Sequence, residues 1–257
     1  MSGSTTPKRK MIDIHMHLVP GVDDGAETME MAAQMLRQAS AEGIRVIFAT
    51  PHSSAYGHSA DSVWDRFGKL CELCDALFPD MDIFPGCEVM CVPERMGEIC
   101  SHIKQAKYPL MGATNYVLAE FPQWICGENT IPCVEALRSA GYRPILAHME
   151  RYKHLMGNMA LVEQLRGSGA FLQVNAYSLF EEKDAAIRDW AQRLVTEQKV
   201  TFLGTDAHRT DHRPPNAASG LKWLYAHCDE KYADDIAWKN AKLLLCGQLL
   251  SEAAWKE

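Results

Sequence analysis

The chain has 257 residues, 47% of them apolar and 23% charged, which suits a globular protein with a sizeable core. A formal net charge of −7, with no lysine/arginine stripe, argues against a nucleic-acid surface. No apolar run reaches membrane-spanning length, no apolar stretch follows the basic "TPKRK", and the nine cysteines are odd in number and scattered, so a reducing, cytoplasmic setting is expected.

Residues 1–10 read as a disordered leader and 11–257 as one domain. A strand is expected over 12–16, inside "MIDIHMHLVPGVDDGA"; alternation puts Asp13, His15 and His17 on one side. The helix at 28–42 has Met29, Ala32, Met35, Leu36 and Ala39 on one face and stops at Gly43. "IRVIFAT" makes 44–50 a strand buried on both faces. A helix follows at 62–78, with Trp64, Phe67, Leu70, Cys71, Cys74 and Leu77 as its apolar face. Its CxxC lacks a second half-site and reads as core rather than zinc or redox chemistry. Strands are then expected at 81–86, 116–121, 143–148, 170–175 and 200–205. Helices fall at 131–140 (Pro132 in its first turn, Gly141 after its end), 157–166, 183–197, 216–227 and 232–249. Seven strands alternating with helices, without a linker or a dinucleotide or phosphate-loop fingerprint, predict an α/β fold: a closed or nearly closed β/α barrel, ahead of an open doubly wound sheet.

The strand ends carry the chemistry. His15 and His17 end the first strand and Asp24 follows; His52 follows the second, Glu88 the third. Glu120 ends the fourth, His148 the fifth and Asn175 the sixth, and Asp206 and His208 follow the seventh. Barrel enzymes keep their active sites at this end. One such histidine would mean little, but ligand-type residues at every strand end predict several metal ions, since one ion takes only about four to six donors. Imidazoles with carboxylates and no paired cysteines favour Mn²⁺, Zn²⁺ or Fe over Mg²⁺ or Ca²⁺. Arg151, in "HMERY", and Arg213, in "HRTDHRP", suit the oxygens of a phosphate, against the plainer reading of ion pairs with Glu150 or Asp211.

Together "DIHMHLVPGVDDGA", "TPH", "GCE", "EFP", "PILAHMERY", "LQVNAYSL" and "DAHRTDHRP", in that order between 13 and 214, resemble the PHP (polymerase and histidinol phosphatase) superfamily. Within it the chain is similar to the bacterial manganese-dependent protein-tyrosine phosphatases of capsule and exopolysaccharide gene clusters. The resemblance implies a distorted seven-stranded barrel, TIM-barrel-like, holding three Mn²⁺ ions, with Fe or Zn²⁺ as alternatives. It implies one ion on His15, His17, Glu88 and Asp206; a second on Glu88, Glu120 and His148; and a third on Asp24, His52 and His208. Arg151 and Arg213 would position the phosphate. A metal-activated hydroxide would attack phosphorus directly, with His52 or His208 helping the phenolate leave. The expected substrate is a phosphotyrosine-containing protein, the tyrosine-rich tail of an autophosphorylating kinase. A homo-oligomer is left open. A cysteine phosphoenzyme is not expected, because neither Cys126 nor Cys133 has an arginine six residues on. The rivals are a small-molecule phosphatase of the histidinol-phosphate kind and a metal-stabilised scaffold for a kinase. After "TPH" the run "SSAYG" departs from the family, and Trp124 and Ile125 either line the mouth or pack the next helix.

Overall fold

The computed structural model describes residues 10–125 and 127–247. The expected leader, apart from Lys10, lies outside the described residues, as do Cys126 and the last two residues of the helix expected at 232–249. The strands are β1 (Met11–Met16), β2 (Ile44–Ala49), β3 (Asp82–Pro85), β4 (Glu88–Met90), β5 (Tyr116–Glu120), β6 (Arg143–Leu146), β7 (Phe171–Asn175) and β8 (Phe202–Gly204). The helices are α1 (Met29–Glu42), α2 (Ser53–Leu77), α3 (Met96–Lys104), α4 (Thr130–Ser139), α5 (Met159–Gly167), α6 (Ala185–Thr196), α7 (Ala218–His227), α8 (Glu230–Asp234) and α9 (Asn240–Leu245). A π-helical turn, Asp235–Lys239, joins the last two. None of the described helices is long and apolar enough to cross a membrane.

All strand pairs are parallel, in the orders β1-β2-β3 and β4-β5-β6-β7-β8. Two seams close the ring. At one, the His17 N–H donates to Ala207 O at 2.8 Å and the Asp206 N–H to His15 O at 2.8 Å, tying β1 to the segment after β8. At the other, a single bridge pairs His52 with Glu88. This is the expected barrel, with strand three broken into β3 and β4. The break sits where Pro51, beyond β2, cannot donate to a ladder. Gly86 occupies the gap because a Cβ there would press on Thr50 Cγ2 and Met111 Sδ, at 2.8 and 3.1 Å.

Ile12, Ile14, Phe48, Tyr116, Leu118, Ile145, Phe171 and Phe202 come from strands all round the ring and form one buried cluster, as side chains filling a barrel do. Ala241 and Leu244 of α9 join it. A larger cluster lies between strands and helices; Ala32, Met35, Leu36 and Ala39 of α1 belong to it, with Gly43 (φ 93°) ending that helix. Besides the π-helical turn, two helical features were not anticipated. The second helix starts at Ser53, with a kink at Ser59 (φ −162°, ψ 93°), and α3 follows β4. Cys71 and Cys74 sit on α2 as free thiols, Cys74 fully buried, in keeping with core.

Candidate metal centre

The expected residues meet at one end of the ring. His15 lies in β1 and His17 just past it; His52 caps α2; Glu88 opens β4; Glu120 closes β5. His148 lies two residues past β6, and Asp206 two past β8. His148, Asp206 and Arg213 all have positive φ (34°, 53° and 51°). Non-glycine residues rarely adopt that conformation, which costs roughly 1–3 kcal/mol each and gathers at functional sites.

Glu88 is the hub. Its Oε1 faces His148 Nε2 at 2.9 Å and His15 Nε2 at 3.3 Å; its Oε2 faces His52 Nδ1 at 3.0 Å and His17 Nε2 at 3.2 Å. Asp206 Oδ1 stands 3.5 and 3.6 Å from the same nitrogens of His15 and His17. Glu120 Oε1 meets His52 Nδ1 at 3.0 Å. The outer oxygen in the group, Asp24 Oδ1, lies 3.3 Å from His52 Nε2 and 3.4 Å from His208 Nε2. Three groups close enough to share an ion result: His15, His17 and Glu88; His52, Glu88 and Glu120; and His17, Asp24, His52 and His208. His52 belongs to two of them through its two nitrogens, and His148 meets Glu88 on the oxygen away from Glu120's partner.

Hydrogen bonds fix which ring nitrogen points inward. His17 Nδ1–H donates to Asp23 Oδ2 at 2.8 Å, and His208 Nδ1–H to the Asp206 carbonyl at 2.8 Å. His15 Nδ1–H donates to Gln173 Oε1 at 3.2 Å, while Gln173 Nε2 donates to Asn175 Oδ1. The Nε2 lone pairs of His15 and His17 are therefore turned toward each other, 3.2 Å apart, and toward Glu88 and Asp206. Glu88 Oε2 and His208 Nε2 are buried without a hydrogen-bond partner among the described residues. Acceptors converging in this way repel unless a proton or a cation stands between them. The donor set of imidazole and carboxylate, with Nδ1 held from behind, fits divalent transition metal ions.

The protein's own charges act in the same sense. Burial opposes a charged His17, yet Asp23 and Glu88 outweigh it and push its pKa up to about 10. Burial likewise opposes a charged His52, but Glu120 and Glu88 push it up to about 11. His208 is pushed down to about 3 by burial and by the charge on His17. Burial works against ionised Glu88, but His15, His148 and His17 hold it well below the usual carboxylate range. The carboxylates demand positive charge, and metal ions can supply it in place of these protons.

The guanidinium groups stand beside the cluster. Arg151 Nη1 donates to Asp206 Oδ2 at 2.6 Å, and Arg213 Nη1 to the same oxygen at 3.2 Å; Arg213 Nη2 is 3.5 Å from Asp24 Oδ2. Glu150 is elsewhere engaged, accepting from the Asn175 N–H at 3.0 Å and the Ser178 hydroxyl at 2.7 Å. Asp13 is likewise engaged elsewhere: its carboxylate takes the His15 N–H at 3.1 Å, and the Thr205 hydroxyl at 2.5 Å and N–H at 2.9 Å, locking β1 to the end of β8. The "SSAYG" run forms the first turn of α2, where Ser53 Oγ accepts from the Met90 N–H and Tyr56 donates to Gly86 O at 3.1 Å. Ile125 is buried, whereas Trp124 is 70% exposed in the loop after Glu120. Two supporting residues escaped the sequence reading, Asp23 and Gln173. Gln173 carried a usable signal, since it lies two residues before Asn175 on β7 and so shares its side.

A family model for capsular polysaccharide synthesis, CpsB/CapC, matches residues 11–246. The chain belongs to this family. The tyrosine-protein phosphatase CpsB of Streptococcus agalactiae is 25% identical over 242 residues, which cover 91% of this chain and 98% of the relative. The tyrosine-protein phosphatase YwqE of Bacillus subtilis is 28% identical over 245 residues, 93% of each chain. The putative tyrosine-protein phosphatase CapC of Staphylococcus aureus is 29% identical over 247 residues, 94% of each. A chain from the crystal structures of YwqE and of Streptococcus pneumoniae CpsB, described as unique metal-dependent tyrosine phosphatases, superposes with a TM-score of 0.79. That match is 28% identical and covers 94% of this chain and 96% of the other. A zinc-bound amidohydrolase, 11% identical with a TM-score of 0.53, shares the fold alone.

Proposed function

We propose that this family member is a metal-dependent phosphatase that hydrolyses phosphotyrosine on a protein. The observation that carries the reading is Glu88, met on each oxygen by two histidine nitrogens, with Arg151 and Arg213 beside it on Asp206. The names of the CpsB and YwqE relatives support it. His15, His17, Glu88 and Asp206 are the proposed ligands of one ion, and Glu88, Glu120 and His148 of a second, with His52 Nδ1 beside the two carboxylates. Asp24, His52 and His208 are those of a third. Mn²⁺ is the first choice, with Fe or Zn²⁺ behind it. Bound there, the ions supply Lewis acidity, which makes water a nucleophile at neutral pH and draws charge from phosphoryl oxygens.

The chain's own residues do the rest. Each guanidinium has five N–H donors, so Arg151 and Arg213 keep several free for phosphoryl oxygens while bonded to Asp206. Asp206 in turn aims both arginines at the cluster. Phenolate, the leaving group, has a pKa of about 10, so His52 and His208 need give it little proton help. The substrate is read as the phosphorylated tail of a bacterial tyrosine kinase. Residues 11–257 are read as one domain, because the ring runs from Met11 to Gly204 and α9 packs back on β1. A cytoplasmic location suits the free cysteines.

The test is phosphate release from a phosphotyrosyl peptide by chelated protein reloaded with Mn²⁺, with histidinol phosphate beside it. Peptide turnover restored by Mn²⁺ supports the reading. Turnover confined to histidinol phosphate moves the assignment to a small-molecule phosphatase. Peptide turnover that survives chelation refutes the metal.

A further inference from the structure

We infer that Asp23 is the positioning residue shared by two of the three ion sites, the one that His17 enters with His15, Glu88 and Asp206 and the outer one of Asp24, His52 and His208. The inference rests on the reading of the three clusters as metal sites. Both oxygens of Asp23 are committed, and its side chain is 3% exposed. Oδ2 accepts from His17 Nδ1–H at 2.8 Å and from the backbone N–H of His52 at 3.0 Å. Oδ1 accepts from the Gly25 N–H at 3.0 Å. One carboxylate thus ties the loop after β1 to the residue that caps α2.

The outer cluster consists of His17, Asp24, His52 and His208. Asp23 fixes the first three by different means. For His17 it sets the tautomer, leaving the Nε2 lone pair to face inward. For His52 it holds the backbone from which both ring nitrogens reach carboxylates. Asp24 is its chain neighbour, and the bond to the Gly25 N–H clamps the turn that presents Asp24 Oδ1 to His52 and His208. Gly25 allows that turn, since a Cβ there would collide with the His17 carbonyl and side chain. His208 alone is held independently, through the Asp206 carbonyl. On the far side of Glu88, His15 and His148 take their support from Gln173, which accepts from His15 Nδ1 and from the His148 N–H at 2.9 Å. Asp23 therefore acts on the site that His17 enters and on the outer site of Asp24 and His52, and leaves Glu120 and His148 alone, although it is not itself a ligand.

Asp23→Asn tests this. An amide supplies one acceptor oxygen, enough for one of the backbone N–H groups, but its NH₂ faces His17 Nδ1 and turns the imidazole proton to Nε2, where it blocks coordination. After equilibrium dialysis against Mn²⁺, ions retained by native protein and by Asp23→Asn are counted by mass spectrometry. The expected result is two ions bound about 10–100-fold more weakly in Asp23→Asn, with the one on Glu88, Glu120 and His148 kept, whereas Asp24→Asn weakens one. An unchanged ion count and affinity overturns the inference. So does equal weakening of every ion. Native protein that retains no Mn²⁺ refutes the metal reading itself, a separate outcome. Should Asp23→Asn fail to fold, native Zn²⁺-loaded protein decides: long-range ¹H–¹⁵N correlations must place the His17 proton on Nδ1, and a proton on Nε2 overturns the proposal.

Discussion

Glu88→Gln is the substitution that the geometry singles out. It keeps the shape of the side chain and removes one buried charge that faces four imidazole nitrogens at 2.9–3.3 Å. At about 3 Å and an effective dielectric of about 20, one unit of charge on another is roughly 5 kcal/mol before desolvation. Allowing half of that for compensation leaves about 2–3 kcal/mol, or about a hundredfold in affinity, for each ion that Glu88 bridges. Two proposed sites share this carboxylate, so both ions should be lost at micromolar Mn²⁺, and phosphate release should fall to background. Glu88→Gln also leaves the cationic imidazoles of His17 and His52 without their common partner. Removing one partner of a buried pair costs about 3–5 kcal/mol, so the chelated variant should melt at least about 6 °C below chelated native protein. Ion content by mass spectrometry, peptide turnover and calorimetry of the chelated proteins read the three effects. A variant that retains its full complement of ions and its rate refutes the bridging role; loss of rate with unchanged ions would place Glu88 in substrate contact instead.

Arg213→Ala should keep all ions and lower turnover on phosphotyrosyl peptide by about 10²-fold, the usual effect of losing one charge-stabilising donor; equal rates would make the Asp206 and Asp24 contacts purely structural. Trp124→Ala, at a side chain 70% exposed in the loop after Glu120, should raise KM for the peptide several-fold without altering ion content, and an unchanged KM removes it from the substrate path. His17 carries a folded-state pKa raised from 6.5 to about 10, so in chelated protein its contribution to stability is complete below about pH 6.5 and is lost as pH rises through about 10. Melting temperatures of chelated protein should fall over that window. Mn²⁺ displaces the same proton, so its affinity should rise with pH and binding should release protons, measurable by calorimetry in buffers of different ionisation enthalpy.

The alternation of strands and helices was legible because apolar periodicity is local. The closure of the ring was less so. Pro51 and Gly86 interrupt the third strand for reasons that lie on other segments, the missing donor in one case and Thr50 and Met111 in the other. Helix α3 carries Met96, Ile99 and Ile103 at helical spacing, a pattern present in the sequence, although no helix is expected there. The π-helical turn at Asp235–Lys239 carries no residue type that distinguishes it from α-helix, so no reading of composition could have found it.

The residues that the sequence puts forward gather in the structure, but their grouping was not legible, and the reason is side-chain reach. A strand end fixes a Cα, and an imidazole then has two nitrogens on opposite edges of its ring. For His52 those edges face different carboxylates, Glu88 and Glu120 through Nδ1 and Asp24 through Nε2. Which edge serves which ion is decided by what holds the ring. His15, His17 and His208 are each held at Nδ1 by a hydrogen-bond acceptor, whereas both edges of His52 face carboxylates. His52 is thus the ligand whose allegiance depends on occupancy of its neighbours, with Asp23 fixing only its backbone. A sequence lists ligands one at a time, while the division of ions among them is a property of these shared rings and of the carboxylates between them.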